Sequence, residues 1–285
     1  MGRVAIVTDS AADLTPELAR AAGITVVPLL VTFGAETFRA GVDLTTEQFW
    51  ERMLAPDAPF PTTAASSPGA FREAFEACFG NGADAIVCID VAETLSATIR
   101  SARLAAEMLP DREIHVVDSR SASMATGLLA LVAAELAEQG VPAAEIARVV
   151  GERVADTDVY VVLDTLEYLR RGGRIGRAQA AVGTLLSVKP IISVRDGVVV
   201  AADRVRTKAR ARERLLALVA SRPVERLAIL YTGRPSPEID AFRDEVVARI
   251  PGGVPPERVS VQPVGPSVGP HLGPGCLGAA LLYAR

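Results

Sequence analysis

Val4-Ala5-Ile6-Val7-Thr8, followed at once by Asp9-Ser10, is a short apolar run without polar alternation. That is the pattern of a strand buried on both faces, as in a parallel sheet covered by helices. Thr15-Pro16 next supplies an N-cap and a first-turn proline, and Gly23 a stop, so a short helix follows. Ile24–Phe33 reads as a second strand, with Pro28 arguing for an edge or a bulge. Thr45-Thr46-Glu47-Gln48 is a capping-box pattern that opens a helix carrying Phe49 and Trp50. Ser67-Pro68 opens another, with Phe71, Phe75 and Phe79 on one stripe. Ala85–Ile89 and Ile114–Val117 are further buried strands, separated by a helix over Leu95–Leu109 and followed by a long helix from Met124 to Gly140. Strand alternating with helix predicts a parallel α/β domain.

The second half changes character. Val159–Leu163 reads as a strand and Leu166–Arg171 as a short helix stopped by Gly172-Gly173. Pro190–Val194, Asp196-Gly197 and Val198–Ala202 form a hairpin signal. A helix from Thr207 to Val219, the strand Leu227–Thr232, a helix from Ser236 to Ile250 and the strand Val259–Val264 complete the pattern. Hairpins mixed with crossover helices predict a mixed-sheet α/β domain. The fold expected is therefore two packed α/β domains, residues 1–155 with a parallel sheet and residues 156–285 with a mixed one.

Composition narrows the function. The chain of 285 residues is 49% hydrophobic and carries a net charge of −4, so it has no cationic excess to attract nucleic acid. Cys78, Cys88 and Cys276 form no CxxC pair and the histidines are His115 and His271, which excludes a zinc site of ordinary spacing. No apolar stretch approaches the roughly 20 residues of a membrane helix, and the N-terminus has no secretory pattern, so a cytoplasmic protein is expected. No GxGxxG follows the first strand, where Thr8-Asp9-Ser10 stands instead, and GxxxxGK[ST] and HExxH are missing. His115, inside a strand, reads as a core or surface residue.

Polar residues at element ends remain. Asp9-Ser10 falls at the carboxyl end of the first strand, where open α/β sheets bind ligands. Pro61–Pro68 is a hydroxyl-rich loop before a helix, and Thr94-Leu95-Ser96 precedes another. Hydroxyls and free amides at helix starts suit a carboxylate or phosphate, although such residues more often serve only as caps. Arg170, Arg171 and Arg174 surround a Gly-Gly turn, His271 stands among glycines and prolines, and Arg204 and Arg206 follow the hairpin. The sequence leaves open whether these converge on one positive face.

Taken in order, several segments resemble the DegV family. They are Thr8-Asp9-Ser10 with Asp13 and Leu14, Pro61–Thr63, Leu95–Thr98, Asp118-Ser119, Leu169–Gly176, Lys189-Pro190-Ile191 and Gly265–Gly275. The resemblance implies a non-catalytic fatty-acid-binding subunit that holds a long-chain fatty acid in a tunnel and needs no other cofactor. A separate fatty acid kinase subunit would phosphorylate the bound carboxylate for phospholipid synthesis. It also implies that Thr63 and Ser96 bind the carboxylate, that His271 and Arg174 lie near the head group, and that Arg206 faces the kinase. The chain departs from the family pattern at Ala64-Ala65 and at Ala97 and Ile99-Arg100, positions that bear on acyl length and saturation. The alternative is an enzyme, a small-molecule phosphotransferase or hydrolase using His271 with Asp9.

Overall fold

A computed structural model describes residues 2–184 and 189–285. In the N-terminal half the chain forms β1 (Val4–Asp9), α1 (Pro16–Ala21), β2 (Ile24–Val27), β3 (Leu30–Phe33), β4 (Glu36–Arg39), α2 (Thr46–Met53) and β5 (Thr62–Ala64). It continues through α3 (Pro68–Gly80), β6 (Ala85–Asp90), α4 (Thr98–Glu107), β7 (Glu113–Asp118), α5 (Met124–Glu138) and α6 (Ala143–Arg153). The sheet is parallel, in the order β2-β1-β6-β7. The caps fall where the sequence puts them: Thr15 accepts from the Leu18 amide, and Thr45 and Gln48 close a capping box.

Two expectations are corrected here. The strand expected over Ile24–Phe33 is broken at Pro28, which lacks an amide and fixes φ. β2 stays in the parallel sheet, while β3 leaves it to pair with β4 and β5 in a small antiparallel sheet. The helix expected from Leu95 begins instead at Thr98, because the Leu95 and Ser96 amides both turn back to the Ala92 carbonyl.

In the C-terminal half the elements are β8 (Thr157–Val162), α7 (Glu167–Arg171), β9 (Lys189–Arg195), β10 (Val198–Val205), α8 (Lys208–Val219) and β11 (Val224–Tyr231). They end with α9 (Pro237–Arg249), β12 (Val259–Pro263), α10 (Gly269–Leu272) and β13 (Leu277–Tyr283). The sheet is mixed, in the order β10-β9-β8-β13-β11-β12. Asp196 and Gly197 both have positive φ, 49° and 76°, the two-residue turn that matches strand twist. The last strand, β13, is central and antiparallel to both neighbours, and the sequence analysis does not foresee it.

α5 joins the halves. Leu128 and Val132 pack on Val159, Leu230 and Leu282 of the mixed sheet, while Leu129, Ala130 and Ala133 pack on Ile6, Val87 and Ile89 of the parallel one. A helix apolar on all sides is one buried on all sides. α3 and α4 cover the far face of the parallel sheet through Phe71, Phe75 and Ala102, and α8 and α9 cover that of the mixed sheet through Leu215, Leu216 and Phe242. Five layers result, and the N-terminal end of α5 opens on the space between the two halves.

Candidate functional site

That space is a cavity with about 790 Å3 of volume not filled by atoms, open solvent at its mouth included. One wall is a face of the mixed sheet. Val161 lies across from Ile192 and Val194 from Val199 in the strand register, and with Val159 they line the cavity. Leu29, Leu95, Leu169, Val268 and Leu272 add further aliphatic surface. Ala122 and Ser123 bring the start of α5 to the wall.

Polar groups adjoin one another around His271. Its Nε2 stands 3.0 Å from Thr63 Oγ1, and its Nδ1 is buried without a partner among the described residues. Burial, aided by the positive charge of Arg174, pushes the imidazole down to about 4, so it is neutral at physiological pH. The ring fits because residue 172 is glycine: a Cβ there would lie 2.1 Å from Nδ1. Thr63 is held from the other side by β5, where it pairs with Val31.

Arg174 is the one charged side chain among the described residues lining the cavity. Its Nη1 donates to the Gly172 carbonyl at 2.7 Å and its Nε to the Leu95 carbonyl at 3.1 Å, so it ties the two halves beside Ser96. Ser96 Oγ lies 2.8 Å from Thr98 Oγ1 and accepts from the Thr98 amide at 3.3 Å. Its hydroxyl therefore sits just ahead of α4, facing the cavity.

Thr63, Ser96, Arg174 and His271 are thus brought to one cavity. Arg206 is not: it is exposed just past the end of β10. The arginines of the Gly-Gly turn diverge, since Arg170 pairs with Glu167 and Arg171 lies 3.9 Å over the Phe60 ring. No single positive face forms from them. Asp9 also stays apart. Its two oxygens accept from the Ala11 and Val91 amides at 2.6 and 2.7 Å, and burial pushes its acid up to about 6. The structure therefore does not assemble the Asp9–His271 pair that the enzyme alternative needs. Ser67 serves as the cap of α3, and Thr94 donates to the Gly197 carbonyl across the halves. His115 pairs with Glu113 at 2.9 Å, away from the cavity.

Sequence reasoning missed Ser123, Ser267 and the steric role of Gly172. Ser267 Oγ meets Ser10 Oγ at 2.7 Å across 257 positions of chain, a separation with no local signal. Among the described residues no three His, Cys, Asp or Glu side chains stand together as a metal site requires, and no helix is long and apolar enough to cross a membrane.

Comparison with known proteins places this geometry in context. The family model described as "Uncharacterised protein, DegV family COG1307" matches residues 3–284. A DegV domain-containing protein of Streptomyces coelicolor is 37% identical over 282 residues, covering 98% of either chain. Among solved structures, a DegV family protein from Thermus thermophilus, described for its fatty acid binding, is 33% identical with a TM-score of 0.88, over 99% of this chain and 100% of that one. DegV of Bacillus subtilis, described as a fatty acid binding protein, is 31% identical with a TM-score of 0.85 over 100% of both chains.

Proposed function

The chain belongs to the DegV family, and from that premise we propose that it holds one long-chain fatty acid in the cavity between its sheets. It presents the carboxylate to a separate kinase subunit, which forms the acyl phosphate. The observation that carries the reading is an aliphatic cavity in which the Thr63 and Ser96 hydroxyls, the neutral His271 imidazole and the Arg174 guanidinium offer groups suited to an acid. The solved relatives described as fatty acid binding proteins support it.

The physical chemistry is consistent. With Nε2 protonated, His271 donates to Thr63, which frees the Thr63 hydroxyl to donate to a carboxylate. Thr98 donating to Ser96 does the same for the Ser96 hydroxyl. Arg174 supplies the countercharge that makes these bonds strong in a dry site. A tail of roughly 15 methylenes at about 0.8 kcal/mol each offers about 12 kcal/mol of transfer free energy. That outweighs association costs of about 4 kcal/mol and more. Donors and a guanidinium stabilise a carboxylate but transfer no phosphoryl group, so that step falls to the partner, with Arg206 on the surface that meets it.

Native mass spectrometry of protein purified without added lipid tests this reading. A stoichiometric adduct of roughly 250–285 Da, released on denaturation and identified as a fatty acid, is expected, and its binding is expected to stabilise the fold. A protein that stays empty after incubation with C16 and C18 acids overturns it. Thr63→Ala with Ser96→Ala is expected to weaken retention and kinase-coupled turnover without unfolding the chain.

A further inference from the structure

The cavity wall behind His271 is tied down by a buried carboxylate. Asp13 closes the turn Ser10–Ala12 after β1, stands at φ 53° and is 5% exposed. Its Oδ2 accepts from the Ser123 hydroxyl at 2.6 Å and its Oδ1 from the Gly265 amide at 2.9 Å. Ser123, also a non-glycine at positive φ (55°), precedes α5 and lines the cavity. Gly265 begins the segment that brings Ser267, Val268, His271 and Leu272 to the same cavity. One side chain therefore joins the exit of β1, the start of α5 and the His271 segment of the other half. The approach is close by design of the sequence, since a Cβ at residue 265 would stand 3.1 Å from Asp13 Oδ1. Backbone held in such sparsely populated conformations persists only where its surroundings over-determine it, and it clusters at clamps and switches.

We propose that Asp13 is a positioning residue that clasps the His271 segment over the cavity, and that ionisation of its carboxyl loosens the clasp and speeds exchange of the acyl chain. The sign follows from linkage. Burial pushes the Asp13 acid up to about 7 in the closed form, outweighing the bonds from Ser123 and Gly265 that pull it down, with repulsion from Asp9 adding a smaller push upward. The groove on the outer side of Asp13 also presents Glu17, Arg20, Glu47, Glu51 and Arg234. Opened to water, the carboxyl returns toward its ordinary value of about 3.9. The closed form thus holds the proton more tightly. Opening releases it, becomes more favourable as pH rises from about 4, and levels off above about 7.

The inference rests on the carrier reading only for its acyl-exchange readout, so two measurements separate them. The first is amide hydrogen exchange of residues 265–272 in the ligand-free full chain from about pH 5.5 to about pH 8.5, taken at each pH as the ratio of wild type to Asp13→Asn so that intrinsic chemistry cancels. The ratio is expected to climb at least about tenfold by about pH 7.5 and then flatten. Ser123→Ala, which deprives the carboxylate of a donor, is expected to move the plateau to higher pH. A merely structural Asp13 gives a ratio independent of pH, and that result overturns the clasp. The second measurement is displacement of a fluorescent long-chain fatty alcohol, uncharged so that ligand ionisation does not enter, and its rate is expected to follow the same profile. A pH-independent displacement rate overturns the gating role. An inflection in the amides of a protein that takes up neither the alcohol nor C16 and C18 acids supports the clasp and counts against the carrier reading.

Discussion

The two halves of the molecule meet along two seams of opposite chemistry. Around the cavity the contacts are single and mostly neutral: Ser10 with Ser267, Thr63 with His271, Thr94 with the Gly197 carbonyl, and the Trp50 indole with the Val264 carbonyl. At the other end of α5 the contacts are charged. Glu135 takes both Arg226 and Arg258, and Arg153 reaches Glu225 and the Tyr283 carbonyl. Ser123 and Glu135 stand at the two ends of one helix, roughly 18 Å apart at 1.5 Å per residue. Neutral hydrogen bonds are worth about 1 kcal/mol each net and are made and broken singly. A charged network around a buried guanidinium is costly to disrupt. The far seam holds, and the cavity seam is the one that opens.

The largest effect is expected on the far seam. Glu135→Ala leaves Arg226, whose side chain is 7% exposed, with only the longer 3.5 Å pair to Glu225, while Glu135 is itself 40% exposed and partly screened. A loss of about 2–3 kcal/mol is expected, read as a lower urea midpoint. Acyl affinity per folded molecule is expected to stay unchanged. A proportionate loss of ligand affinity would break the contrast between holding and opening seams.

Gly172→Ala acts on the cavity seam. Its φ of −77° suits alanine, so the cost is steric: the new methyl meets His271 Nδ1 and the ring must swing away from Thr63. Overpacking of this kind costs about 1–3 kcal/mol, and acyl affinity is expected to fall tenfold or more by isothermal titration. A variant that binds as tightly as wild type would show that the Thr63–His271 contact plays no part in holding the acid.

Part of this contrast is legible in the sequence and part is not. The parallel sheet is, because β1, β6 and β7 are short apolar runs and α1, α2 and α3 carry side-chain caps. β13 is not. Gly278-Ala279-Ala280 lies mid-sheet, where a Cβ at residue 278 would come 2.4 Å from the Tyr160 carbonyl. Crowding selects small residues there and erases the β-branched signature of a strand. Thr63, Ser96, Arg174 and His271 are singled out by motif resemblance, and hydroxyls near helix starts alone do not tell a site from a cap. Asp13, Ser123 and Gly265 meet across up to 252 positions of chain, and only tertiary structure joins them.

The pH dependence of stability sharpens the comparison further. Asp13 has its folded value raised to about 7 against about 3.9 unfolded. Its contribution is therefore full below about pH 4 and is lost as pH rises through 7. His271, lowered to about 4, acts in the opposite sense: its contribution is full above about 6.5 and is lost as pH falls toward 4. Subtracting wild-type urea midpoints from those of Asp13→Asn removes the His271 share. The difference is expected to rise steadily from about pH 4 to about pH 7. A level difference would show that the carboxyl titrates alike in both states.

The smallest effect on the molecule itself is expected at Arg206. It lies past the last pair of β10, Val205 with Lys189, and is exposed. Exposed substitutions away from caps and networks stay within about 0.5 kcal/mol, so Arg206→Ala is expected to leave both the urea midpoint and acyl retention at wild-type values. On the proposed function its effect belongs to docking with a kinase partner. An exposed guanidinium steers encounter with an acidic surface and is screened by salt, so kinase-coupled turnover is expected to fall in Arg206→Ala, most at low ionic strength. Equal turnover of the two proteins across a salt series would remove Arg206 from the docking face. It would also leave the cavity seam, with Arg174 and the His271 segment, as the surface that the proposed kinase partner would read.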